Sequence, residues 1–183
     1  MNITEYKNNC IRIVDLILPN YKMQFDFTKH DGQDYYEVFF LTEYCSISFY
    51  YEYRQPAVTC TIADRVNRNI FHEPVLPGKS IKRFYLDNIV PKNDRIYKMF
   101  DKEKYWKVDI EQKIKDQCIL LKRYGKPFLQ GDFSLLPEIN IMIKRRAALY
   151  RLDRFGRMNA IENGWGDYCP YDGYKTLAFR RIL

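Results

Sequence analysis

Histidine is nearly missing from this chain: there are two among 183 residues, His30 and His72, each in loop-like surroundings with no partner at metal-ligand spacing. A zinc-type centre needs three or four convergent ligands, so the sequence gives no pattern for a metal and implies no cofactor. Glycine is scarce as well, at eight residues. The G-x-S-x-G elbow, the P-loop and the G-x-G-x-x-G turn are all absent, and Gly164-x-Gly166 lacks the strand-to-helix context that gives such a pattern meaning. No stretch approaches the roughly 18 uncharged apolar residues of a membrane span. The opening MNITEYKNN has no basic region followed by an apolar core, so no leader is expected. The five cysteines (Cys10, Cys45, Cys60, Cys118 and Cys169) are odd in number, widely spaced and without C-x-x-C. That usage predicts reduced thiols and a cytoplasmic protein rather than a disulfide framework.

Aromatic residues and basic charge are plentiful. Sixteen Tyr and twelve Phe accompany a hydrophobic fraction of 46% and a charged fraction of 29%, the balance of a globular chain. The net charge of +7 is unevenly placed. Residues 1–63 carry 5 Lys/Arg against 8 Asp/Glu, whereas residues 64–183 carry 25 against 15. The second half therefore raises the question of a nucleic-acid or acidic partner, against the simpler reading of a solvated lysine-rich surface.

The expected organisation is a single α+β domain spanning 1–183: helix plus meander over 1–63, a loop-rich connection over 64–109, two helices over 110–156, and an aromatic tail over 157–183. Ile3, Tyr6, Cys10, Ile13 and Ile17 recur at steps of three and four, with Asn2 and Glu5 as a candidate capping box and Pro19 as the stop. Tyr21, Met23, Phe25 and Phe27 alternate with polar residues as in a strand, and Thr28 to Asp34 reads as a turn or loop. Residues 35–62 are the densest aromatic and β-branched run in the chain. A tight connection at Thr42-Glu43, placing Leu41 opposite Tyr44, and a four-residue loop at Arg54–Ala57 would fold this run as an antiparallel meander. The expected sheet has about four strands. Ile81–Leu86 reads as a short helix or an added strand, Asp94–Phe100 as a short helix, and Asp101–Lys107 as a solvated connection. Ile110, Ile114, Cys118 and Leu121 form a second helical stripe, with Gly125 as its C-cap and Pro127 as a stop beyond it. A last helix over about Leu135–Phe155 would use Ser134 as N-cap and hold Pro137 in its first turn. These later helices are expected to pack on the sheet. After Gly156 the periodicity disappears, though Trp165, Tyr168, Tyr171 and Tyr174 are placed to dock on the body.

Parity divides the meander into two faces. Tyr36, Val38, Phe40, Cys45, Ile47, Phe49, Tyr51, Val58, Cys60 and Ile62 supply one apolar face. Cys45 and Cys60 on it, and Cys118 on its helix, read as small core residues rather than nucleophiles. The other face carries Tyr35, Phe39, Leu41, Tyr44 and Tyr50 with Glu37, Ser46, Ser48, Glu52, Thr59 and Thr61. It is too aromatic for a plainly solvated face and too polar for a sealed core. Either later helices cover part of it or it is a contact surface. The candidate partner-binding residues are Tyr35, Phe39, Tyr44, Tyr50, Glu52 and Arg54. Glu37 and Glu52 share this face, but Ser and Thr partners lie beside them, and nothing marks an acid–base pair. A non-enzymatic protein is expected.

The basic run from Lys144 to Arg157 is the nucleic-acid lead, with candidates Lys144, Arg145, Arg146, Arg151 and Arg154. At roughly 100° per residue, Lys144 and Arg151 fall on one side with Ala148 and Phe155, Arg146 and Arg157 fall nearly opposite, and Arg145 lies between. A groove-binding helix normally presents one basic face, so the arrangement dilutes the signal.

The order of helix and aromatic meander, followed by YGKP (Tyr124 to Pro127) leading into GDFS (Gly131 to Ser134), resembles small bacterial cytosolic proteins encoded near polymorphic toxins. These include immunity proteins that block a toxin by binding it. The resemblance implies a non-enzymatic α+β protein whose activity is an interface, with a toxin encoded nearby as the partner. A +7 protein is a poor electrostatic match for a basic nuclease. The implied partner is acidic at the contact or meets the acidic N-terminal third.

Overall fold

The computed structural model describes residues 2–31, 35–54, 56–65, 76–100 and 103–168. The protein is α+β, with an N-terminal helix, a five-stranded antiparallel sheet and C-terminal helices. It divides into two compact units, one comprising Met1–Phe71 with Lys82–Phe133, the other His72–Ile81 with Ser134–Leu183.

In the first unit, helix α1 (Ile3–Ile17) starts where Asn2 Oδ1 accepts the Glu5 backbone N–H at 2.9 Å, and it ends before Pro19. Its stripe Tyr6, Cys10, Ile13 and Val14 is buried. Strands β1 (Gln24–Asp31), β2 (Tyr35–Leu41), β3 (Cys45–Glu52), β4 (Ala57–Asp64) and β5 (Arg83–Tyr85) pair in sequence order. Helix α4 (Ile110–Tyr124) packs against α1 and β4, completing a layer over the apolar face. Short helices α2 (Tyr97–Phe100) and α3 (Glu103–Trp106) precede it in the chain, and α5 (Lys126–Leu129) follows and packs against it. The Tyr6 ring lies 6.1 Å from Tyr36 and 5.7 Å from Tyr51, so α1 sits directly on the sheet.

The face assignment holds, but both hairpins are displaced along their strands. Phe40 pairs with Ile47 and Val38 with Phe49, a shift of two from the expected register. The reason is Thr42. Its hydroxyl accepts the backbone N–H groups of Tyr44 and Cys45, so the turn centres on Glu43-Tyr44 rather than on Thr42-Glu43. The second loop does contain four residues, but it occupies 53–56, because Glu52 still pairs with Ala57. A slip of two leaves every side chain on its own face, whereas a slip of one would invert the strand.

β1 departs further from expectation. Thr28 to Asp31 is strand, paired with Val38 to Tyr35, and not a turn. One extra residue is accommodated between Phe25 and Thr28, a bulge that reverses the parity. Phe25 therefore meets Phe40 on the helix side, while Phe27 stacks on Phe39 on the other face, at 4.2 Å between ring centroids and 10° between planes.

The connection over 101–107 is not simply solvated. Tyr105 in α3 is buried, and its hydroxyl donates to Asp116 at 3.0 Å. Burial and the Asp116 carboxylate push the Tyr105 pKa up. From α4, Lys113 Nζ donates to the Pro56 carbonyl at 2.7 Å and the Trp106 carbonyl at 3.1 Å. Burial pulls the pKa of this ammonium down. Gln117 Nε2 donates to the Val58 carbonyl at 2.9 Å, on a part of β4 that β5, paired only with Thr61–Ala63, does not reach. Gly125 ends α4 at φ −84°, so it serves close packing rather than a left-handed cap: a Cβ there would lie 2.5 Å from Leu121 Cδ1. Pro127 stands in the first turn of α5 and opens a helix as well as closing one.

In the second unit, α6 (Leu136–Phe155) holds Pro137 in its first turn, but Leu135 rather than Ser134 occupies the N-cap position. A further helix, α7 (Arg157–Glu162), follows where the sequence shows no periodicity. Trp165 is 1% exposed and packs with Ala148 and Ala160, and Tyr168 donates its hydroxyl to the Pro77 carbonyl at 3.1 Å. These two aromatics dock as expected, while Tyr171 and Tyr174 lie outside the described residues.

Candidate interaction surface

The polar-aromatic face of the sheet is sealed at its centre and open toward one end. Parity puts Glu37, Ser48, Thr61 and Arg83 side by side on four strands, and each of the first three is at most 2% exposed. Ser48 Oγ donates to Glu37 Oε1 at 2.6 Å. Since that uses Ser48's only proton, the 2.8 Å contact between the Ser48 and Thr61 hydroxyls must be donated by Thr61. Arg83 Nε donates to Thr61 Oγ1 at 2.7 Å, and the same guanidinium pairs with Glu37 and Ser48. Each hydroxyl is thus both donor and acceptor, and the carboxylate faces a cation, which is the condition for burying such groups without a large penalty. The Arg83 guanidinium also lies 5.3 Å from the Phe39 ring centroid.

Above this network the candidate residues separate. Tyr35 and Tyr50 sit with ring centroids 5.2 Å apart, both half-buried, beside half-buried Glu52. Tyr85 on β5 completes the group at 39% exposure. Burial, then the charges of Glu52 and neighbouring tyrosines, push the Tyr50 pKa up to about 12. Burial likewise raises Tyr85 against the opposing effect of Arg83. Arg54 is exposed in the adjoining β3–β4 turn. Phe39, by contrast, is 1% exposed between the Phe27 ring and Arg83, so it supports the surface from beneath. Tyr44 is exposed in the turn beyond Leu41, about 20 Å along the strands from Tyr35 at ~3.4 Å per residue. The structure therefore unites Tyr35, Tyr50, Glu52 and Arg54 at one end and leaves Phe39 and Tyr44 out. It adds Arg83 and Tyr85, which the sequence reading missed. A three-residue strand is too short to show a period, and the only local signal was Phe84 flanked by two polar-tipped side chains.

The nucleic-acid candidates all lie on α6. Lys144 Nζ is 5.5 Å from the Tyr168 ring and the Arg151 guanidinium 5.2 Å from the Trp165 ring. These two cations cap the aromatic docking site of their own unit. Arg154 lies over Tyr150 and Phe155, Arg145 is exposed, and Arg146 is half-buried. His30 is exposed on β1. Cys10, Cys45, Cys60 and Cys118 are buried free thiols. Burial raises the pKa of each, that of Cys45 to about 11, so they are inert core residues. His72 and Cys169 lie outside the described residues. Among the described residues no helix is long and apolar enough to cross a membrane, and no three His, Cys, Asp or Glu side chains group as a metal site.

No family model, curated protein or solved structure matches the chain.

Proposed function

We propose that this protein is a non-enzymatic binding module that engages a protein partner through the open end of the sheet, as an immunity-type protein neutralises a toxin. The observation that carries the reading is the group Tyr35, Tyr50, Glu52 and Tyr85, partly exposed on a rigid strand surface underlain by the Glu37–Arg83 pair. Tyrosine, with tryptophan and arginine, is enriched where binding energy concentrates. Rings already held by strand pairing and by one another lose little freedom on association, which removes one of its main costs. Glu52 and Arg54 provide the polar rim that such contacts have.

The test is titration calorimetry with the product of the neighbouring gene, on the native chain and on Tyr35→Ala and Tyr50→Ala. Each variant is expected to keep the native circular dichroism spectrum and to bind about thirtyfold more weakly, equivalent to ~2 kcal/mol. Unchanged affinity in both variants would move the interface elsewhere. Failure of the native protein to bind would remove the toxin-neutralising reading.

A further inference from the structure

At the opposite end of the sheet, still within the first unit, lies an open cleft of about 670 Å³. Its walls come from Lys22, just after the turn that follows α1, from Glu43 and Tyr44 of the β2–β3 turn, and from Lys126, Leu129 and Gln130 at α5. We propose that this cleft binds a nucleoside monophosphate or a closely related small organic phosphate carrying a planar ring.

The size is within the ~300–1,000 Å³ usual for small-molecule sites. Two cations face it, Lys22 and Lys126, both exposed, and neither ammonium has a partner among the described residues. A phosphate dianion matches that pair. The single acid, Glu43, is the chain neighbour of Tyr44 and raises its pKa. As an acceptor it suits a ligand hydroxyl or amine rather than the phosphate. The Tyr44 ring rests on Gly131, where a Cβ would lie 2.9 Å from Cγ and Cδ1, yet the side chain stays 44% exposed. It is thus backed on one side and open on the other, the form of a stacking platform. Buried Leu129 gives an apolar floor, and the Gln130 amide offers both a donor and an acceptor to a base edge.

The backbone is set for this shape before any ligand arrives. Lys22 has φ +46°, the one non-glycine residue in the left-handed region among those described, and Gly131 has φ +83°. Left-handed backbone at a non-glycine residue is costly and tends to gather at functional sites. Lys22 lines the cleft itself, and Gly131 supports the Tyr44 ring that lines it.

The probes are adenosine 5′-monophosphate, inorganic phosphate and adenosine, titrated into the full chain and followed by amide chemical shifts. The monophosphate is expected to saturate, with shifts centred on residues 20–22, 43–44 and 126–131, and to bind roughly tenfold more tightly than phosphate or adenosine alone. Lys22→Gln and Lys126→Gln should each weaken it about fivefold or more. Tyr44→Ala should do the same and Tyr44→Phe should not, because stacking needs the ring and not the hydroxyl. Equal affinity for inorganic phosphate or for adenosine, shifts elsewhere, affinity unchanged in both lysine variants, or no binding would each overturn the proposal. The shift map of the native chain decides the matter even where a variant fails to fold.

Discussion

Replacing Arg83 by methionine removes a buried cation while keeping most of the side-chain volume. Glu37, 1% exposed, then keeps the Ser48 hydroxyl but loses the guanidinium it is paired with, and Thr61 loses the Arg83 N–H. Breaking one half of a buried ion pair costs about 3–5 kcal/mol, because the other half is left charged in a poorly solvating site. The surviving Ser48 bond argues for the lower end, about 3 kcal/mol. At ~2–4 °C per kcal/mol for a chain of this size, the midpoint should fall by roughly 6–12 °C. Glu37→Gln should be costly for the mirror reason, since it leaves Arg83 buried beside a neutral amide. The double variant Glu37→Gln/Arg83→Met removes both charges, so it should be at least ~2 kcal/mol more stable than the sum of the single losses predicts. Urea unfolding followed by far-ultraviolet circular dichroism measures all four states of the cycle. Single losses below about 1 kcal/mol that simply add in the double variant would refute a buried, coupled pair.

Three further outcomes follow from individual residues. Gly131→Ala combines φ +83° with a Cβ placed 2.9 Å from the Tyr44 ring, so it should destabilise by about 1–3 kcal/mol in the same urea assay. Tyr50 keeps its proton in the folded state up to about pH 12, against 10 for an ordinary tyrosine. Its contribution to stability is therefore complete below pH 10 and is lost as the pH rises from 10 to 12. An absorbance titration should lose its late-ionising component in Tyr50→Phe, with the slope of stability between those pH values reduced. Trp165 is 1% and Trp106 59% exposed, so Trp106→Phe should leave blue-shifted, quencher-protected emission and Trp165→Phe the reverse.

The sequence was readable where a local pattern spanned several turns or a whole strand. Helix α1 carries its cap, its stripe and its stop within eighteen residues, all in one neighbourhood. The two faces of the meander were readable because side-chain direction depends only on parity, which survived two hairpins each displaced by one even step. What one residue decides was not readable. The bulge before Thr28 turned Phe27 to the other face, and the Thr42 hydroxyl recentred the first turn. The sealed network was also hidden, because Arg83 reaches Glu37 across 46 residues of chain from a three-residue strand. Tyr105 likewise looked solvated because its partner, Asp116, belongs to a separate helix. Half of the candidate surface was thus visible as alternating tyrosines, and its foundation came only with tertiary placement.

Site-specific photocrosslinking in the native cell bears most directly on the claim that the tyrosine-rich end of the sheet is a protein contact. A photoreactive phenylalanine at Tyr85, 39% exposed on that face, is compared with one at Leu16, 68% exposed on α1, the helix that covers the other face. A single discrete adduct is expected from position 85, lost when Tyr35 and Tyr50 are both alanine, and none from position 16. No adduct from position 85, or the same adduct from both positions, would contradict it.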